Sequence, residues 1–174
     1  MSIMDIITHT PIWVWPLFAL LVMSGITALR PREVRPVRML LIPVFFFVWG
    51  LYAVFTNLPE WPTALAVFGV GLGVGFGVGW GLFRLYPAAT YDRKTRRVWR
   101  PGTPLTLIFI IISFLAKYAL SVVIATNKAL SATVGFSALY GASSGLISGV
   151  FWGIMTLQLL QAFNYIEQGE RSPG

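Results

Sequence analysis

Five apolar runs, each reaching the roughly 17 to 25 residues that a helix needs to cross a bilayer core, take up most of this chain. They run from Pro11 to Leu29, Met39 to Asn57, Thr63 to Phe83, Pro104 to Thr126, and about Ser131 to Phe163. Backbone N–H and C=O groups find no water in hydrocarbon, so each run must pair its own backbone as a helix. The expected fold is an all-α integral membrane bundle of five transmembrane helices, a single domain over 1–174. The fifth run is longer than the bilayer needs and must tilt, bend or project beyond it. Composition agrees: 56% hydrophobic and 11% charged residues with a mean hydropathy of +0.75 are too apolar for an ordinary soluble domain.

The loops between the runs set the orientation, because cytoplasmic loops retain Lys and Arg. Arg30, Arg32, Arg35 and Arg38 follow the first run, Arg84, Arg93, Lys94, Arg96, Arg97 and Arg100 follow the third, and Arg171 is in the tail. Those eleven of thirteen cations share one side, with Lys128 on the other and Lys117 between. An outside N-terminus and an inside C-terminus follow. Trp13, Trp15 and Trp61 then fall at the outer interface, and Trp80 and Trp99 at the inner one, as membrane anchors do. The same distribution accounts for the net charge of +7 without nucleic acid.

Between the third and fourth runs, Ala89 to Gly102 has no helical apolar period and ends in a Pro-Gly breaker. The pattern predicts a short basic cytoplasmic β-hairpin turning near Arg93 to Thr95. Arg93, Lys94, Arg96, Arg97 and Arg100 would contact anionic lipid headgroups, at about 1 kcal/mol for each cation near the surface. The alternative is that these cations only enforce topology.

There is no cysteine, which removes disulfides, thiolate metal sites and thiol nucleophiles. Asp5, His9 and Glu60 lack the spacing of a metal site, so no metal and no cofactor are expected. No secretory signal is expected either, because the segment before the first run carries Asp5 and no Lys or Arg.

The third run has glycine at every second position from Gly69 to Gly81. An isolated strand is excluded in lipid, and on a helix the glycines resolve into two staggered rows: Gly69, Gly73, Gly77 and Gly81, and Gly71, Gly75 and Gly79. The fifth run repeats the spacing with Gly141, Gly145, Gly149 and Gly153, beside Ser137, Ser144 and Ser148. These rows predict close packing of the third and fifth helices, within one chain or across a homo-oligomer, rather than a permeation path. No phosphate-binding lysine accompanies them, so they are not a nucleotide loop.

Lys117 is the one charge inside the fourth run, and no acid lies in any apolar run to pair with it. An intramembrane cation costs about 2.5 to 3.5 kcal/mol and marks a functional site by default. At a rise of 1.5 Å per residue it lies roughly 13 Å from the helix end at Thr126. The same depth on the other runs reaches Leu20, Trp49, Gly71 to Gly73, and Tyr140 with Gly141. Lys117, Tyr118, Trp49, Tyr140 and Ser144 are therefore the candidate ligand-binding residues. Four readings are open: an anion or lipid pocket supported by cation-π contacts, a lysine base toward Ser113, Ser121 or Ser144, a proton relay, and a stem that snorkels to the outer headgroups near Glu60.

Tyr91-Asp92-Arg93, Pro101-Gly102-Thr103-Pro104-Leu105, Phe114-Leu115-Ala116-Lys117-Tyr118 and Ser137-Ala138-Leu139-Tyr140-Gly141 resemble a family of small uncharacterised bacterial inner-membrane proteins, a domain of unknown function. The resemblance extends from Thr8 to Leu160 and, more loosely, to small membrane proteins found beside cytochrome c maturation genes. It implies a bacterial inner membrane, a compact helical bundle, and a Lys117-Tyr118 pair belonging to the family pattern. A heme site is not implied, since there is no cysteine pair and a single histidine. The leading expectation is a non-enzymatic protein: a small transporter, channel component or lipid-binding protein for an anionic or amphipathic ligand. The alternative is a structural or accessory subunit of a larger membrane complex, and the third reading is an intramembrane enzyme acting on lipid.

Overall fold

A computed structural model describes residues 14–92, 97–100 and 102–170, with side chains from Trp15 to Ala162 apart from Leu17. The helices are α1 (Val14–Thr27), α2 (Pro36–Met39), α3 (Leu41–Asn57), α4 (Trp61–Phe83), α5 (Pro104–Thr126), α6 (Lys128–Ser131) and α7 (Val134–Glu170). Three short strands, β1 (Arg32–Val34), β2 (Thr90–Asp92) and β3 (Arg97–Arg100), complete the described chain.

Proline sets several starts. Pro36, Pro62 and Pro104 occupy the first turns of α2, α4 and α5, where the missing N–H would be unpaired in any case. The residues before two of them, Arg35 and Thr103, are extended, as a following proline demands. Pro43 explains the interruption between α2 and α3. It cannot donate to the Met39 carbonyl and its ring crowds that group, while Leu40 keeps right-handed helical angles, so Pro36–Asn57 still runs as one span of 22 residues. At the other end of the molecule Asn127 caps α6 by accepting from the Leu130 N–H at 3.0 Å.

Among the described residues, four helices are long and apolar enough to cross a membrane: Pro36–Asn57, Trp61–Phe83, Pro104–Thr126 and Val134–Ala162. The expected fifth, Pro11 to Leu29, is described only as the 14 residues of α1, and Pro11, Ile12 and Trp13 lie outside the described residues. The same holds for Asp5, His9 and the Thr8 to Pro11 segment.

The long α7 is the centre of the bundle. Of its most apolar window 67% is buried, against 22% for α4 and α5, whose other faces are exposed. α4 lies along it for most of its length, α3 crosses it, and α1 packs on α5. The excess length of α7 projects past the spans: Met155 and Ala162 pack with Met39, Ala89 and Val98 beneath the sheet.

That sheet corrects the expected two-stranded hairpin. β2 and β3 do pair antiparallel, but β3 is the middle strand of three, in the order β1-β3-β2, and β1 comes from the first basic loop. The signal was present as Arg30-Pro31-Arg32-Glu33-Val34-Arg35-Pro36, where two prolines bracket a stretch too short for a helix and bias it to extended angles. The turn around Arg93 to Thr95 lies outside the described residues.

Candidate functional site

Lys117 sits on the face of α5 that turns toward α3 and α7, and it has no exposed surface at all. Its ammonium donates to Ser144 Oγ on α7 at 2.6 Å. The Trp49 ring of α3 lies 5.8 Å from Nζ and the Tyr140 ring of α7 lies 5.2 Å away, both within cation-π range. No carboxylate among the described residues pairs with it. The stem therefore does not snorkel along α5 toward Thr126; it ends on a hydroxyl inside the bundle.

Each neighbour arrives by helix periodicity. Tyr140 and Ser144 are four residues apart on α7 and so share one face. Ser148 continues it, returning its hydroxyl to the Ser144 carbonyl at 2.8 Å. Ser137 begins it, buried with a hydroxyl that has no hydrogen-bond partner. Above and below the ammonium lie two apolar clusters, one of Phe46, Ile110, Phe114 and Phe151, the other of Val54, Leu58, Phe136 and Tyr140. The result is a buried polar stripe along α7 flanked by apolar clusters, where a charge acts with little solvent screening.

Three of the other expected residues stand elsewhere. Tyr118 is one residue, and hence about 100° around the helix, from Lys117; its ring stacks on Phe114 at 6.2 Å. Leu20 is exposed on α1. Of the serines weighed as partners of the lysine, Ser121 bonds back to the Lys117 carbonyl at 2.8 Å, and the ammonium goes to Ser144.

Gly50 was not anticipated. A Cβ there would stand 3.3 Å from the Lys117 ammonium and 3.1 Å from Phe68, so its lack of a side chain makes the room Nζ occupies. The sequence does carry a hint: Gly50 is the single glycine of the second apolar run, at a position where glycine costs a helix about 1 kcal/mol.

The two glycine rows of α4 separate cleanly. Gly71, Gly75 and Gly79 abut the backbone of Ala142, Leu146 and Val150, and Gly141, Gly145, Gly149 and Gly153 abut the α4 backbone from Ala64 to Trp80. Gly69, Gly73, Gly77 and Gly81, assigned to packing with the rest, face open space within this chain. Two residues along a helix turn it by about 200°, which carries one row away from α7.

Of the basic residues, Arg93, Lys94 and Arg96 lie outside the described residues, Arg97 is half exposed beside Glu33 at 3.7 Å, and Arg100 turns inward to face Arg32. Arg84 lies 5.8 Å from the Trp80 ring. No group of three or more His, Cys, Asp or Glu able to hold a metal occurs among the described residues.

Four apolar helices of membrane-crossing length among the described residues, the central α7 being one of them, with a lysine buried inside the bundle, define a multi-pass helical membrane protein. A family model described as a family of unknown function (DUF6622) matches residues 1–164, and the chain belongs to that family. No curated protein and no solved structure matches it.

Proposed function

We propose that this is a non-enzymatic protein of the bacterial inner membrane that binds or passes an anionic or amphipathic ligand, with Lys117 as the fixed cation. One observation carries the reading: an ammonium with no exposed surface has one hydroxyl, two aromatic rings and no carboxylate for company. Burying a charge is expensive unless an opposite charge compensates it, and an anionic ligand supplies the charge that the described residues lack. Five spans with the N-terminus outside are part of the proposal. It is supported by the pairing of β1 with β3, which brings the loop of Arg30 to Arg38 and the loop of Arg97 and Arg100 to one end of the bundle.

Laurate, an amphipathic anion, tests the reading on the full chain in a neutral maltoside detergent. At about 100 times its dissociation constant it should raise the wild-type unfolding midpoint by roughly 5 to 10 °C. Lys117→Met should fold and unfold at no lower temperature without laurate, because an uncompensated buried charge is removed, and should lose the laurate shift. An equal shift in wild type and Lys117→Met sinks the proposal.

Two further readings each rest on a specific contact. The open row Gly69 to Gly81 suits an accessory subunit or homo-oligomer, since small residues four apart let another helix approach closely. Recovery of a larger partner on mild-detergent purification would favour it. The 2.6 Å contact from Lys117 to Ser144 is also the geometry of a serine activated by lysine. Labelling of wild type but not Ser144→Ala by a fluorophosphonate would move the protein to that class.

A further inference from the structure

Arg32 and Arg100 stand directly opposite each other across the β1–β3 ladder, an arrangement of like charges that destabilises a sheet. Strand alternation puts them on the same face as Val34 and Val98, the face turned to the helices, where Val98 is 1% exposed. Glu33, the one acid in these two strands, points the other way and meets Arg97 at 3.7 Å. Arg32 is anchored by a hydrogen bond from Nη1 to Thr27 Oγ1 at the end of α1. Among the described residues, the Arg100 guanidinium has neither a hydrogen bond nor an ion pair.

Both arginines line a cleft of about 40 Å³, and no carboxylate is among the described residues of its walls. A single water needs about 10 to 15 Å³ on the same measure, so the cleft has room for one phosphate group and not for a nucleoside. Gln158 of α7 reaches its wall, 4% exposed, with Oε1 lacking any hydrogen-bond partner. Turning that amide by half a rotation presents its two N–H donors instead. Thr106, in the first turn of α5, lines the same cleft and a smaller one beside it that Arg30 joins. The N–H groups of such a first turn have no acceptor within their helix and favour an anion.

We propose that this cleft binds one phosphate group, gripped by the Arg32 and Arg100 guanidiniums and bordered by Thr106 and Gln158. Paired guanidiniums suit phosphate because each offers two parallel donors. The bound charge removes the repulsion across the ladder and gives Gln158 a partner. Loss of hydration, and then the charge of Arg32, hold the Arg100 pKa down at about 10, the direction expected of a cation waiting for an anion. The site is independent of Lys117, which lies 13 residues, or roughly 20 Å, further along α5 than Pro104. The phosphate can be free or part of a lipid headgroup.

Thermal unfolding of the full chain in neutral maltoside detergent tests the site with two probes. Inorganic phosphate is compared with chloride at equal ionic strength, and short-chain phosphatidylglycerol with the diacylglycerol of the same chains. A shift of roughly 5 to 10 °C at saturating probe is expected. If inorganic phosphate alone produces it, the group suffices by itself; if only phosphatidylglycerol does, the source is a headgroup; either supports the site. Arg100→Gln should lose the shift and, without probe, unfold at the wild-type midpoint or above, because the repulsion is gone. Should Arg100→Gln fail to fold, Arg32→Gln asks the same from the other strand. No shift with either probe, an equal shift with diacylglycerol, a full shift in the variant that combines Arg32→Gln with Arg100→Gln, or a lower midpoint for both single variants without probe would each overturn the proposal. Lys117→Met should keep this response, so loss of the laurate effect and loss of this one are separate outcomes.

Discussion

Gly73 and Gly75 stand two residues apart on α4, belong to rows of the same spacing, and meet opposite surroundings. A Cβ on Gly75 would run into the Leu146 carbonyl of α7, whereas one on Gly73 would meet nothing within 4 Å. The difference teaches what small-xxx-small spacing does and does not encode. It specifies that a helix can come close. Which row receives it depends on the phase of α4 about its axis, and α7 decides that by offering a matching row of its own. Gly141, Gly145, Gly149 and Gly153 leave the carbonyls of Ala64, Phe68, Leu72 and Phe76 uncrowded, so the two backbones interlock reciprocally.

The largest effect should come from closing the inner gap. Gly75→Leu sets a side chain against the Leu146 backbone, which cannot rotate away, and forces α4 and α7 apart. Overpacking typically costs about 1 to 3 kcal/mol, and a backbone obstacle puts this case at the upper end or beyond. Denaturant titration in mixed micelles reads the loss. A cost near zero would mean that the two helices are not held at this distance.

This contrast also marks how far the sequence carries. Counting rise per residue along uninterrupted helices brought Trp49 and Tyr140 to the level of Lys117, because depth in a helix is linear in residue number. Azimuth is not, since each helix rotates freely until its neighbours fix it. That is why Gly69, Gly73, Gly77 and Gly81 face outward, whereas the separation of Tyr118 from Lys117 and its pairing with Phe114 follow from spacing on one helix. The role of Gly50 is illegible in the sequence for the same azimuthal reason, since it lies in a contact between α3 and α5. The sheet was half legible. Tyr91 and Val98 to Arg100 alternate as strands do, whereas Arg32–Val34 reads as one more stretch of topology-setting arginine until β3 gives it a partner.

Gly50→Ala sharpens the comparison from the third glycine environment, contact with side chains instead of backbone or open space. The new methyl would sit 3.1 Å from Phe68 and 3.3 Å from the Lys117 ammonium, both ends of flexible side chains that can give by a few tenths of an ångström. Alanine also gains about 1 kcal/mol of helix propensity over glycine. Stability should therefore move by less than about 1 kcal/mol in either direction. The ammonium, however, has to shift against Ser144. The laurate response should weaken while the unfolding midpoint without laurate barely changes, and an unaltered response would show that Nζ is not placed by Gly50.

Gly73→Leu should have the smallest effect on the monomer. The side chain would enter open space beside Val70 and Val74, which are 69% and 54% exposed, and should leave the stability unchanged or raise it by less than about 1 kcal/mol. The outer face repeats one step, Gly69-Val70, Gly73-Val74, Gly77-Val78, in which the glycine admits a neighbouring backbone and the valine presents a stiff surface beside it. Sedimentation in mild detergent at several protein concentrations is therefore measured alongside stability. If Gly73→Leu is as costly as Gly75→Leu and dissociates a dimer, the two rows are equivalent and the outer one belongs to a second copy. If mass and midpoint both stay at wild-type values, the rows differ as they do within this single chain, and the outer row is a lipid-facing surface.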